Sequence, residues 1–143
     1  MMDNGVPGSL RRVAVRTTGP SWVIEAEAAL IGADVLVALW GGERPHIGAV
    51  AAAASRASLA DPGKASTTCS VLTYPGHKED VIVKLVSERL SAALRTNVVV
   101  TAGIHWDDLP AGAIEPIMER CGEIADLLLE ALAGDPAWRR AAP

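Results

Sequence analysis

Hydrophobic and polar positions alternate along the first third of the chain. Val13 and Val15 fall on one side of Arg11 to Thr17, with Arg12 and Arg16 on the other, which predicts a strand. After the turn Thr18-Gly19-Pro20-Ser21, Trp22 to Ile31 alternates again, with Trp22, Ile24, Ala26 and Ala28 opposite Val23, Glu25 and Glu27. Gly32-Ala33-Asp34 turns this run into a buried strand, Val35 to Trp40, so the two make a hairpin. A strand of small residues, His46 to Ala54, follows. Ser55 to Ser66 is rich in Ser, Asp, Pro, Gly and Lys and predicts an exposed connection to a strand over Thr67 to Tyr74.

The period then changes. Val81, Ile82, Leu85, Val86, Leu90 and Leu94 stand at helical spacing, with Lys84, Glu88 and Ser91 outside the stripe, which predicts a helix over Lys78 to Arg95. Asn97 to Thr101 is a Val-rich buried strand. Ile114, Ile117, Met118, Cys121, Ile124, Leu128 and Leu132 form a second helical stripe, capped by Asp107 or Asp108 and stopped by Gly134 and Pro136. Strands come first and the two helices late. That order predicts an α+β domain: a mostly antiparallel sheet of about six strands with two main helices on one face. The domain spans residues 10–134, after a loose terminus at 1–9 and before a tail at 135–143 that carries Trp138. The other sheet face, if apolar, needs a cover, and a second copy in a homodimer is the simplest.

Composition narrows the function. The 143 residues suffice for one domain with a real core, built from Val, Ile, Leu and Ala because Phe is absent. A net charge of −4 and no long basic run argue against nucleic acid held through its phosphates. Cys69 and Cys121 fit neither a zinc spacing nor a disulfide framework, which favours a reducing compartment. No apolar run reaches membrane-spanning length and residues 1–9 hold no hydrophobic block, so a cytoplasmic protein is expected.

The candidate chemistry gathers in three segments: Gly41 to Val50, Pro75 to Asp80, and Thr101 to Asp108. Together they hold all three histidines, His46, His77 and His105. Gly41-Gly42 allows positive φ or close approach of a bound group, and Pro45 holds Arg44 extended. Gly76-His77-Lys78 leads into a helix, where free amides and Lys78 suit a phosphate, with Ser66 and Thr67 as hydroxyl donors. The Gly-Lys-Ser/Thr run of a P-loop is missing. Converging histidines with Asp107 or Glu43 would also suit a zinc-like ion, hence a metal-dependent enzyme using His46, His77 and His105. A Cys69–His77 nucleophile pair lacks any supporting motif. Trp40 and Trp106 flank the segments and can stack on a planar ring or simply pack.

Taken together, Gly41-Gly42-Glu43-Arg44-Pro45-His46-Ile47-Gly48-Ala49-Val50, Ser66-Thr67-Thr68-Cys69-Ser70-Val71-Leu72-Thr73, Gly76-His77-Lys78-Glu79-Asp80 and Val100-Thr101-Ala102-Gly103-Ile104-His105 resemble the signature of the LpdD-like family, in its order, across roughly Arg12 to Leu132. The resemblance implies a fold similar to the dimeric proteasome-assembly chaperones. It also implies a non-enzymatic carrier that binds reduced prenylated FMN and hands it to an apo UbiD-type decarboxylase, or a subunit that assists the decarboxylase without a ligand. On that reading Lys78, Ser66, Thr67 and the amides around Gly76 meet the ribityl phosphate. Arg44, His46 and His105 meet the polar edge of the ring, and His77, in the same motif as Gly76 and Lys78, is a further cofactor-binding residue.

Overall fold

The computed structural model describes residues 10–141, and the terminus at 1–9 lies outside them. Six strands form one sheet: β1 (Arg11–Arg16), β2 (Ile24–Ile31), β3 (Asp34–Gly42), β4 (Ala49–Ala57), β5 (Ala65–Thr73) and β6 (Val98–His105). Their order in space is β1-β2-β3-β6-β4-β5. Every pairing is antiparallel except β3 with β6, which run parallel from Val35↔Val98 to Gly42↔His105. The fold is thus α+β with a mostly antiparallel sheet, and β2 and β3 form the expected hairpin. The last strand in sequence slides between β3 and β4. This brings the ends of β3 and β6 and the start of β4 to one edge of the sheet.

Helix α1 (Asp80–Leu94) lies on β4, β5 and β6, and α2 (Ile114–Gly134) lies along α1 and over β1 and β2. The core fills the space between helices and sheet. From the strands it takes Ile24, Ala26, Ala28, Val35, Val37, Leu39, Val98 and Val100, and from the helices Val83, Val86, Leu90, Ile124, Leu128 and Leu132. Alanines on β2 and β4 keep the sheet side flat and let the helices sit close. Cys121 is fully buried, and burial pushes its thiol up to about 12, so it is an inert core group.

Several expected elements differ in detail. Strand β4 begins at Ala49, not His46, because Pro45 to Gly48 cross irregularly over the end of β6. Strands β4 and β5 run on to Ala57 and back from Ala65, so the exposed connection is shorter than Ser55 to Ser66, and β6 extends to His105. In α1 the buried stripe is rotated. Val81 and Leu85 face solvent, while Ser87 and Ser91 are buried. Ser87 donates to the Lys84 carbonyl and Ser91 to that of Thr96, which satisfies their hydroxyls inside the packing. Ile114 is also exposed, and α2 is capped at Ala113 rather than by Asp107 or Asp108.

Past α2 a short helix α3 (Pro136–Ala141) places Trp138 in the core. Asp135 anchors it: Oδ1 accepts the amides of Ala137 and Trp138, and Oδ2 accepts two bonds from Arg11. The Arg11 bonds, first of all, hold the Asp135 carboxyl below its ordinary range.

Candidate functional site

The sheet edge carrying the ends of β3 and β6 holds most of the residues singled out in the sequence. It divides at β6. On the β3 side, Gly42 pairs with His105 and adopts φ +86°; a Cβ there would fall 1.9 Å from the His105 carbonyl oxygen. Only glycine lets the strands meet this closely, and the chain then turns out over Trp106. Trp106 packs edge-to-face on Trp22, centroids 5.1 Å apart. Trp22 itself holds φ +55°, a left-handed conformation uncommon for a side chain of this size. Trp40 donates its indole N–H to Glu25 at 3.1 Å. With Arg16, Pro20, Val23, Gly41, Glu43 and Pro45, these three tryptophans line an open cleft of about 410 Å³.

A charged clamp adjoins the cleft through Glu43, one of its lining residues. Arg44 donates to Asp107 Oδ2 at 3.1 Å, His105 Nε2 lies 2.9 Å from Asp107 Oδ1, and Glu43 accepts the Asp107 amide. The His105 bond, foremost, with Arg44 and Glu43 adding to it, lowers the Asp107 carboxyl below its ordinary value.

On the β4 side the chain carries His46 across the end of β6. Gly103 makes the crossing feasible, since a Cβ there would sit 1.7 Å from the His46 carbonyl oxygen. Gly48 opens the same space for Glu79, whose Oε2 would meet a Cβ at 2.3 Å. Glu79 precedes α1, and its side chain turns inward until only 8% is exposed. Its Oε1 accepts the amide of Ile104 at 3.2 Å and its Oε2 that of Lys78 at 3.0 Å. His46 Nε2 stands 2.9 Å from Oε1, and His77 Nδ1 stands 3.8 Å from Oε2. The two imidazole rings are 4.7 Å apart.

The structure therefore brings His46 and His77 together and leaves His105 on the other side of β6, paired with Asp107. The three-histidine metal site does not form. Lys78 is exposed beside the β4-side cluster, but the amides expected to receive a phosphate are already engaged. Lys78 N–H goes to Glu79, and His77 N–H goes to the Tyr74 carbonyl. Gly76 adopts φ +81° in open space. Ser66 and Thr67 pair with Arg56 and Ser55 at the far end of the β4–β5 hairpin, whereas Thr73 pairs with Ala49 near His46. Seven residues of strand at roughly 3.3 Å each put Ser66 about 23 Å from that end, so within one protomer they do not share a phosphate with Lys78. Sequence reasoning missed two participants. Glu79 stood in the sequence only as part of the motif at Gly76 to Asp80, and its inward turn needs the space left by Gly48, distant in sequence. Trp22 read as strand packing, and only its left-handed backbone places it beside Trp106.

Comparison with known proteins bears on the family and the fold. Residues 18–133 match the family described as the prenylated flavin chaperone LpdD-like domain. Protein LpdD of Lactiplantibacillus plantarum is 24% identical over 125 residues, covering 84% of this chain and 85% of that protein. Among solved structures, a chaperone complex for yeast 20S proteasome assembly superposes with a TM-score of 0.52 at 10% identity, over 84% of this chain and 97% of that one. That likeness establishes the fold.

Proposed function

Because this chain belongs to the prenylated flavin chaperone LpdD-like family, a family of non-catalytic accessory proteins, we propose that it binds reduced prenylated FMN and delivers it to an apo UbiD-type decarboxylase. The observation that carries the reading is the tryptophan cleft. Its volume of about 410 Å³ is within the range of small-molecule sites, roughly 300–1,000 Å³. Trp22, Trp40 and Trp106 offer aromatic faces to the fused rings, and Arg44 and His105 offer donors to their polar edge. Lys78 is the exposed cation for the phosphate. An open cleft with shallow, solvent-reached contacts suits a carrier, which must release what it holds.

The cleft also borders the sheet face that the helices leave bare. Trp40 lines both it and a smaller depression formed by Arg12, Glu27, Ala29, Leu36 and Ala38. With Leu72 this face presents exposed apolar side chains next to small ones, the composition of a face that a second copy covers. The working form in this reading is a homodimer paired through its sheets, with the cleft at the rim. Leu36→Glu is expected to yield monomers by light scattering.

The test is reconstitution. Anaerobic addition of the protein carrying reduced prenylated FMN to an apo-decarboxylase should restore decarboxylation faster than free cofactor does. Equal rates with and without the protein would defeat the delivery role. Stimulation that persists without any flavin binding would instead favour a ligand-free assembly subunit.

A further inference from the structure

We propose that His46, His77 and Glu79 form a binding site for a divalent transition-metal ion of the zinc or iron(II) class. This site lies across β6 from the tryptophan cleft, beside Lys78, and its metal binding does not depend on the flavin reading. Its three donor atoms all lie within 4.8 Å of one another. Ligands held tetrahedrally at about 2.0–2.1 Å from an ion sit roughly 3.3 Å apart. The 2.9 Å and 3.8 Å separations to the Glu79 oxygens bracket that spacing.

The tautomer of His46 points the same way. Its Nδ1 lies 2.8 Å from the Arg44 carbonyl, which can only accept, so Nδ1 carries the proton. An uncharged ring then turns the lone pair of Nε2 toward Glu79 Oε1, acceptor against acceptor. Nε2 is buried, and among the described residues it has no hydrogen-bond partner: the 2.9 Å contact to Glu79 lacks the direction of a hydrogen bond. A cation between the two groups satisfies both. A ring whose Nδ1–H is fixed by a backbone carbonyl while Nε2 stays bare is the arrangement of metal-bound histidines.

Glu79 is equally prepared. Amides from Ile104 and Lys78 fix both of its oxygens, and each oxygen keeps a further lone pair. His77 completes the set from the exposed side, next to Gly76, so an ion can enter there and keep a position open to water or to an oxygen ligand. Two imidazoles and one carboxylate with an open position is a donor set that zinc and iron(II) accept.

The experiment is zinc binding to chelator-stripped, flavin-free protein, by equilibrium dialysis with metal analysis, and cobalt(II) substitution followed by absorption. The expected result is one ion per chain and a cobalt spectrum of low coordination number. His77→Ala, which changes a solvent-exposed ring, and Glu79→Gln should each weaken zinc by about 100-fold, the upper end of what even outer partners cost such sites. His105→Ala should leave zinc affinity unchanged. Circular dichroism of each variant without metal establishes that it is folded. Less than stoichiometric zinc in the parent protein would overturn the site, as would a folded His77→Ala variant that binds as tightly as the parent. Because no flavin is present, neither result bears on the carrier role, and flavin binding under chelation reports on that separately.

Discussion

On the β3 side of the end of β6, Trp22, Trp40 and Trp106 stand partly exposed around an open cleft, and the side chains of Arg44 and His105 both bond Asp107 in solvent. On the β4 side, one carboxylate is almost sealed, its oxygens are held by two amides, and a buried imidazole nitrogen faces it without a hydrogen bond. Both regions owe their close backbone approach to a glycine, Gly42 on one side and Gly103 on the other. They differ in what that approach delivers. The first exposes a broad aromatic surface with low directional demand, suited to a planar ligand that must leave again. The second fixes a few polar atoms around a nearly buried carboxylate, suited to a small cation.

Substitution at the shared device should break the comparison hardest. Gly103→Ala forces a Cβ into the His46 backbone and should cost about 3 kcal/mol in denaturant unfolding. Whatever fraction folds should lose the β4-side cluster first, read as loss of zinc binding with flavin affinity less affected. Trp106→Ala sharpens the other side: removing the ring that packs on Trp22 should weaken reduced prenylated FMN by about tenfold, in the range of one aromatic contact. Trp138→Ala is the control. It removes a core side chain, so stability falls, yet flavin affinity of the folded protein should hold. Lys78→Ala should weaken flavin binding only a few-fold, and the difference should shrink as salt rises, because the group is exposed.

The smallest effect concerns acid. Asp107 has a lowered carboxyl in the folded protein, chiefly through His105. A lowered folded value means that its stabilising contribution is complete above the ordinary carboxylate value of about 3.9 and is lost as pH falls through the folded value. The clamp should therefore stay closed near neutrality and open only in acid below about pH 4. Trp106 fluorescence followed through an acid titration checks this, and Asp107→Asn should abolish the transition.

Much of the frame was legible in the sequence because strands announce themselves locally. Val13/Val15, Ile24/Ala26/Ala28 and the Gly32-Ala33-Asp34 turn place β1, β2 and the β2–β3 hairpin without long-range knowledge. Periodicity misled where polar groups are satisfied inside: Ser87 and Ser91 are buried because neighbouring carbonyls take their protons, so the apolar stripe of α1 pointed partly outward at Val81 and Leu85. The insertion of β6 between β3 and β4 is a tertiary choice with no local signal. That insertion separates His105 from the other two histidines, whereas Ser66 and Thr67 are parted from Lys78 by the length of β5 itself. The motif positions were readable, and their grouping was not. Glu79 joins His46 and His77 because Gly48 leaves room for its side chain and Gly103 for the His46 backbone.

The most direct measurement is an anaerobic titration of the protein with reduced prenylated FMN, followed by tryptophan fluorescence. Saturable quenching at one ligand per chain, weakened by Trp106→Ala and unchanged in affinity by Trp138→Ala, is the predicted result. Absence of saturation at high protein concentration, or equal weakening by the two substitutions, would contradict the carrier site at the tryptophan cleft.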